Sequence, residues 1–369
     1  MGRVSNTAVI DADGHVVEPL DLWERHLDPK FRARAPRFTV DDRGRPCALF
    51  GERYEMRAAM VLTYGPTYDL QSAATRRAGG WDPVARLADM DAEGIDAAVL
   101  YPSLGLFVGG VDDPVLQAAL CRAYDRWRAE YCATDPKRLI GVAMLPLADL
   151  DAAVAELEHA VERDGFRAAF VRPNPVAGRP IHHPANDRLW DCAAALGVPI
   201  AVHEGLTDLI PTLGRDRFEN PAVQHVLSHP FEQMAACAGL ILTGVLERHP
   251  TLRVAFLESG AAWLPYWLAR LDSHFETWRA LFPQLTLRPS EYFARQCAIS
   301  TDPDEAAVDC VVEHVGDGCV VWASDYPHPD AHFPGAVAKT LESMSRVPEA
   351  ARAKILGGNA ARLYGIASR

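Results

Sequence analysis

Eight short apolar runs, each followed by a stretch of helical periodicity, restrict this chain of 369 residues more than any other feature. A strand buried on both faces reads as continuously apolar, and its regular alternation with amphipathic helices marks parallel βα units. The runs are 7–13 (TAVIDAD), 96–101 (DAAVLY), 139–145 (LIGVAML), 168–172 (AAFVR), 198–203 (VPIAVH), 252–258 (LRVAFLE), 296–300 (QCAIS) and 319–325 (CVVWASD). Eight parallel strands favour closure into a (β/α)8 barrel. Helices are expected over 84–93, 114–135, 150–164, 187–196 and 263–281. The gap from 16 to 82 breaks the rhythm, and FTVDDRGRPCALFGERYEM inside it reads as a β-hairpin turning at Asp-Arg-Gly. That excursion, about 20–80, leaves the C-terminal end of the first strand, where barrel active sites lie, and so is expected to serve as a lid or insertion. A second excursion, 204–230, leaves the fifth strand on the same side. Prolines are spread between elements, which favours a single domain over 1–369.

With 49% apolar residues the chain can bury a large core, and a formal charge of −12 argues against nucleic acid or an anionic membrane as partner. No run reaches the ~18 apolar residues of a membrane span, and the start lacks the pattern of a signal peptide, so a cytoplasmic protein is expected. The eight cysteines contain no CxxC pair and read as reduced, mostly buried thiols.

Polar residues end several of these strands. Side chains alternate along a strand, so Asp11, Asp13 and His15 are expected on one face, with Asp13 and His15 at the open top of the barrel. The same alternation puts His203, Glu258 and Asp325 at the ends of inward rows. Unpaired buried carboxylates and imidazoles cost several kcal/mol, on the order of other desolvated polar groups, so something must compensate them. A structural hydrogen-bond network is one answer. One divalent cation held by Asp13, His15, His203 and Asp325 is the other, and the mixed oxygen and nitrogen set suits it.

Through VIDADGHVVEP, PIAVHEG, LRVAFLESGAAWLPYWLARLD and VVWASDYPHPD the chain resembles, over almost its whole length, the amidohydrolase-related family that includes aminocarboxymuconate-semialdehyde and γ-resorcylate decarboxylases. The resemblance implies that Asp13-Gly14-His15 is the acidic variant of that family's His-x-His. It also implies that His203 is the fifth-strand ligand and that Asp325 both touches the metal and handles protons. A homodimer is implied as well. One departure stands out: the histidine often found at the end of the sixth strand is replaced by Glu258, in Glu258-Ser259-Gly260. Glu258 is then an additional ligand, a general base, or a capping acid at the following turn. His229, expected at the start of a helix before Pro230 with Glu232 to orient it, is a candidate for the missing imidazole, or an ordinary surface histidine. Glu18 repeats the family's His-x-x-Glu spacing and reads equally as a loop acid.

Arg172 ends the fourth strand, where it either grips a substrate carboxylate or pairs with Asp11. Tyr101, Ser103, Trp322 and His328 are expected to line the same mouth, with Tyr101 and Trp322 as substrate contacts. His182 and His183 read as capping or solvated residues. Two reactions follow. In nonoxidative decarboxylation of a small aromatic or unsaturated carboxylic acid, Asp325 protonates the carbon that loses carbon dioxide. In hydrolysis of an ester, lactone or amide, Glu258 or His229 takes a proton from an activated water. A metal-free binding or scaffold protein is a third reading. The oxygen-rich ligand set favours manganese more than an all-imidazole set would, and zinc fits it also.

Overall fold

Strand-length apolar runs do form the strands, and aspartates cap three of the helices between them. In the computed structural model, which describes residues 8–19, 21–42, 44, 46–55, 77–328 and 331–367, the strands in chain order are β1 (Ile10–His15), β2 (Arg37–Val40), β3 (Pro46–Phe50), β4 (Arg53–Glu55), β5 (Ala97–Tyr101), β6 (Leu139–Met144), β7 (Ala168–Val171), β8 (Ile200–His203), β9 (Val254–Leu257), β10 (Cys297–Thr301) and β11 (Val320–Trp322). All but β2–β4 join one parallel sheet in the order β1-β5-β6-β7-β8-β9-β10-β11, and every residue of those eight strands is buried. Two backbone bonds join the outer strands and bring the sheet round on itself: His15 N donates to Tyr326 O at 2.6 Å and Asp325 N donates to Asp13 O at 3.0 Å. This is the (β/α)8 barrel that the alternation predicts.

Asp82, Asp113 and Asp149 cap the helices Pro83–Glu93, Pro114–Cys132 and Leu150–Glu162 by accepting two backbone N–H bonds each. Such caps stabilise a helix by about 1 kcal/mol apiece. The helix Asp187–Leu196 follows its expected bounds, while 263–281 divides into Leu264–Thr277 and a short 3-10 turn, Arg279–Leu281. The helix carrying His229 spans Pro221–Leu242, so His229 and Pro230 lie inside it and not at its start. The same start signal occurs earlier, where Asn220 accepts the N–H of Ala222 and Pro221 occupies the first turn. Near the C-terminus a π-helical turn, Lys354–Gly358, packs against β1, and a Cβ on Gly357 would lie 1.9 Å from the carbonyl oxygen of Ala8. All eight cysteines are free, six of them buried.

The hairpin expected after the first strand is present as β2 and β3, and β4 extends it to an antiparallel three-stranded sheet. It is pinned to the top of the barrel. The ring of Phe50 meets Phe107 edge-on at 6.0 Å, Arg53 donates to Gly110 O, and the buried Glu55 carboxylate accepts from Thr207 and from the N–H of Asp208. Residues 56–76 of the expected lid lie outside the described residues.

Candidate metal centre

Strand ends carry the site. Asp13 and His15 sit two apart at the end of β1 and His203 ends β8, all three fully buried. Glu258 follows β9 directly and Asp325 lies three residues beyond the end of β11, and both have left-handed backbone, with φ of 50° and 54°. A side chain bearing a Cβ rarely adopts that conformation unless its surroundings impose it. Here Glu258 N donates to Ser300 Oγ at 3.1 Å, and Asp325 N is held by Asp13 O. The consequence is that both carboxylates turn inward over the strand ends.

The two histidines are oriented from behind. His15 Nδ1 lies 2.8 Å from Pro102 O and His203 Nδ1 lies 2.6 Å from Glu204 O, so each donates that N–H to a carbonyl and points an Nε2 lone pair at a common centre. The two Nε2 atoms are 3.2 Å apart. Around them stand Asp13 Oδ1, at 3.3 Å from His203 and 3.5 Å from His15, and Glu258 Oε2, at 3.1 and 3.5 Å. Asp325 Oδ1 is 3.3 Å from His15 Nε2. Neither carboxylate oxygen of Asp13 has a hydrogen-bond partner, nor has Glu258 Oε2. Carboxylate oxygens and imidazole nitrogens converging in a pocket open only beside Glu258 and Asp325 fit a divalent cation. The donor atoms of Asp13, His15, His203 and Glu258 all fall within 4.8 Å of one another. Of the four residues expected as ligands, Asp13, His15 and His203 thus meet with Glu258, while Asp325 groups with His15, Glu258 and His328.

Electrostatics agrees with that geometry. Burial pushes the Asp13 carboxyl up to about 6 against the pull of His203, and burial with His328 and His203 nearby holds His15 well below the ordinary histidine range. Burial opposes ionisation of Glu258 too, but His203, His15 and His229 outweigh it and hold that carboxyl well below the usual range. Access is from one side: the side chains of Asp13, His15 and His203 are at most 1% exposed, whereas Glu258 keeps 18% and Asp325 16%.

Other expected site residues fall into two groups. His229 reaches the centre, its Nε2 3.2 Å from Glu258 Oε1, and is oriented by His225 O and Ser228, not by Glu232, which instead accepts the N–H of Leu213. His328 joins Asp325 at 2.7 Å, three residues on. Tyr101 lies beneath the site, its ring stacked 5.4 Å from His203 and its hydroxyl bonded to Tyr364. By contrast, Trp322 faces the helical layer and donates to Leu356 O at 2.8 Å. Alternation from Ala323 and Asp325 requires that outward placement, so a mouth position for Trp322 is corrected. Arg172 is corrected also. Its guanidinium is engaged by Glu204, Gly205 O, Leu106 O and Asn174, all within 3.1 Å, and its acid partner is Glu204, not Asp11.

Asp11 does not share the face of Asp13. The register with β5 shifts between Asp11 and Gly14, and Asp11 turns outward to accept the N–H and hydroxyl of Ser324, with Arg86 at 3.7 Å. Glu18 accepts the N–H groups of Leu104 and Gly105, a loop-holding role. His183 caps a short turn through Ala185 N. Sequence reading gave no sign of Arg86, which donates to His15 O at 2.9 Å from a helix about 70 residues downstream.

Fold and site together define a barrel enzyme class with its metal centre at the C-terminal ends of the strands. A family model described as Amidohydrolase matches residues 10–366, and the chain belongs to that family. It is similar to the 2-amino-3-carboxymuconate-6-semialdehyde decarboxylase of Dictyostelium discoideum, with 25% identity over 78% of this chain and 77% of the relative. It is likewise similar to the gamma-resorcylate decarboxylase of Rhizobium radiobacter, with 27% identity over 77% and 87%. Among solved structures, an amidohydrolase of Mycobacterium avium subsp. paratuberculosis K-10 superposes with a TM-score of 0.80 at 25% identity, covering 98% of this chain and all of that one. A dihydroxybenzoic acid decarboxylase of Polaromonas sp. JS666, solved with manganese and 2-nitroresorcinol, shares the fold with a TM-score of 0.67 at 20% identity, covering 98% and 97%.

Proposed function

We propose that this protein is a metal-dependent nonoxidative carboxy-lyase acting on a small aromatic or unsaturated carboxylic acid. The observation that carries the reading is the ring of orphaned carboxylate oxygens and imidazole nitrogens at the barrel mouth, in a chain similar to several decarboxylases and, over 30% of its length, to a 2-keto-4-carboxy-3-hexenedioate hydratase. Asp13, His15, His203 and Asp325 would hold one divalent ion, manganese or zinc, with Glu258 as a fifth neighbour, and the ion would supply Lewis-acid polarisation of the bound substrate. Asp325, partly exposed and bonded to His328, gives a proton to the carbon that loses carbon dioxide. The C–C bond breaks, its electron pair stays on carbon, and a C–H bond forms. His229 and Glu258 hold the opposite wall, where His229 supplies the imidazole absent from the end of β9. Tyr101 supports the site from below, and Arg172 shapes it by fixing the loop at Glu204 and Gly205.

One observation favours hydrolysis as a second reading. The Glu258–His229 contact at 3.2 Å is a pair suited to accept a proton from water. The deciding experiment takes protein with its metal content measured and screens hydroxybenzoates for carbon dioxide release. Release supports the lyase; metal without release, together with ester, lactone or amide cleavage that Glu258→Gln abolishes, supports the hydrolase. A metal stoichiometry near zero, not raised by added Zn²⁺ or Mn²⁺, would leave only a binding role.

The chain works as one domain in the cytoplasm; no described helix is long and apolar enough to cross a membrane. It pairs as a homodimer, a reading supported by the exposed Leu213, Phe218, Val226 and Phe231, which cluster in one stretch of sequence. Light scattering on the purified protein tests this.

A further inference from the structure

Glu258 is shared between two sets of imidazoles, and only one of them belongs to the centre proposed above. Its Oε2 lies 3.1 Å from His203 Nε2 and 3.5 Å from His15 Nε2, whereas its Oε1 lies 3.2 Å from His229 Nε2. A carboxylate whose two oxygens meet separate nitrogen clusters has the shape of a bridge between two cations. Glu258 is a member of all three groups of clustered histidine and carboxylate donors among the described residues. The third of these is His225, His229 and Glu258, with ligand atoms all within 4.8 Å of one another.

The helix Pro221–Leu242 supplies the second set. In the run His225-Val226-Leu227-Ser228-His229 the two histidines stand four apart, so they share one face of that helix, and their ring centroids are 4.1 Å apart. Histidines at i and i+4 on one helical face are the spacing by which zinc-binding helices present a pair of ligands. His229 is held from behind, its Nδ1 3.1 Å from Ser228 Oγ and 3.2 Å from His225 O, and its Nε2 is the nitrogen directed at Glu258. Two ligand atoms bound tetrahedrally at about 2.1 Å from an ion stand about 3.4 Å from each other. The 3.2 Å between His229 Nε2 and Glu258 Oε1 fits that spacing, and His225, which is exposed, closes the remaining distance by rotation of its side chain. A plain hydrogen bond between His229 and Glu258 fits the 3.2 Å equally but gives no part to His225.

We propose that His225, His229 and Glu258 Oε1 bind a second divalent cation, which the Glu258 carboxylate bridges to the first. Two imidazoles and one carboxylate oxygen form a nitrogen-rich set, which favours zinc over manganese. With three protein ligands, one of them exposed, the second ion binds more weakly than the first and keeps an open coordination position. The site rests on the metal of the first centre but not on the reaction assigned to it.

The test is equilibrium dialysis of the full chain against increasing Zn²⁺, with bound metal counted by elemental analysis. The wild-type protein should reach two equivalents, the second filling at higher Zn²⁺ than the first. His225→Gln should keep the first equivalent and the melting temperature, and should weaken the second by more than the roughly 10-fold to 100-fold that loss of an outer partner costs. Zinc-edge anomalous scattering from crystals of the fully loaded protein should show two peaks, one on each side of the Glu258 carboxylate. Saturation at one equivalent or fewer, a second equivalent untouched by His225→Gln, or a second peak away from Glu258 overturns the proposal. A protein that binds both ions as stated yet releases no carbon dioxide from any acid keeps the second site and loses the carboxy-lyase reading.

Discussion

Arg172 shows how a residue well placed for one task can be occupied by another. Its side chain is 2% exposed and that of Glu204 is fully buried, at 2.9 Å, so removing the guanidinium strands a buried carboxylate. Arg172→Ala should lower unfolding stability by about 3–5 kcal/mol, measured by denaturant titration of the metal-loaded protein. A stable variant with only a raised KM would return Arg172 to substrate binding. His203→Ala should strip most of the metal and most of the activity; elemental analysis that still finds a full complement would disprove the ligand set. These residues were unequally legible in the sequence. Asp13, His15, His203 and Asp325 each end an inward row, so strand alternation alone finds them. Asp11 escaped that rule because a bulge reverses its side, and the partners of Arg172 come from loops whose course no periodicity records.

At the scale of elements, the strand ladder follows from burial and was readable to within a few residues, whereas the contacts that tune it are matters of close approach. A Cβ on Gly14 would lie 2.4 Å from Arg86 Nη2 and 2.7 Å from Asp11 Oδ2. Gly14→Ala should therefore cost about 1–3 kcal/mol, the usual range for overpacking, and should weaken metal binding by moving the strand that carries two ligands. Unchanged melting temperature and metal affinity would contradict it. Gly357→Ala meets backbone instead of a flexible side chain and should be worse, with a larger drop in melting temperature than Gly14→Ala gives. The helix Pro221–Leu242 illustrates the limit of sequence reading here. Two proline start signals lie nine residues apart, and only the one preceded by an asparagine cap begins the helix.

For the molecule as a whole, folding and metal binding are linked through protons. Asp13 has its carboxyl raised from 3.8 to about 6 by burial, so in metal-free protein its contribution favours folding fully below pH 3.8 and is lost as pH rises through 6. Metal requires the ionised carboxylate, so the gain in melting temperature on adding Mn²⁺ or Zn²⁺ should be small at pH 5 and grow toward pH 7. A gain that does not change with pH would mean that Asp13 is not a ligand. The seam between the first and last strands gives this linkage a further meaning. Asp13 and Asp325 stand roughly 310 residues apart in sequence, yet their own backbones meet there. An ion held by both carboxylates would close most of the polypeptide into one ring, as a covalent cross-link between its two ends would, and the entropy it would remove from the unfolded chain belongs to the largest class of loop, about 6 kcal/mol on the chain-entropy scale.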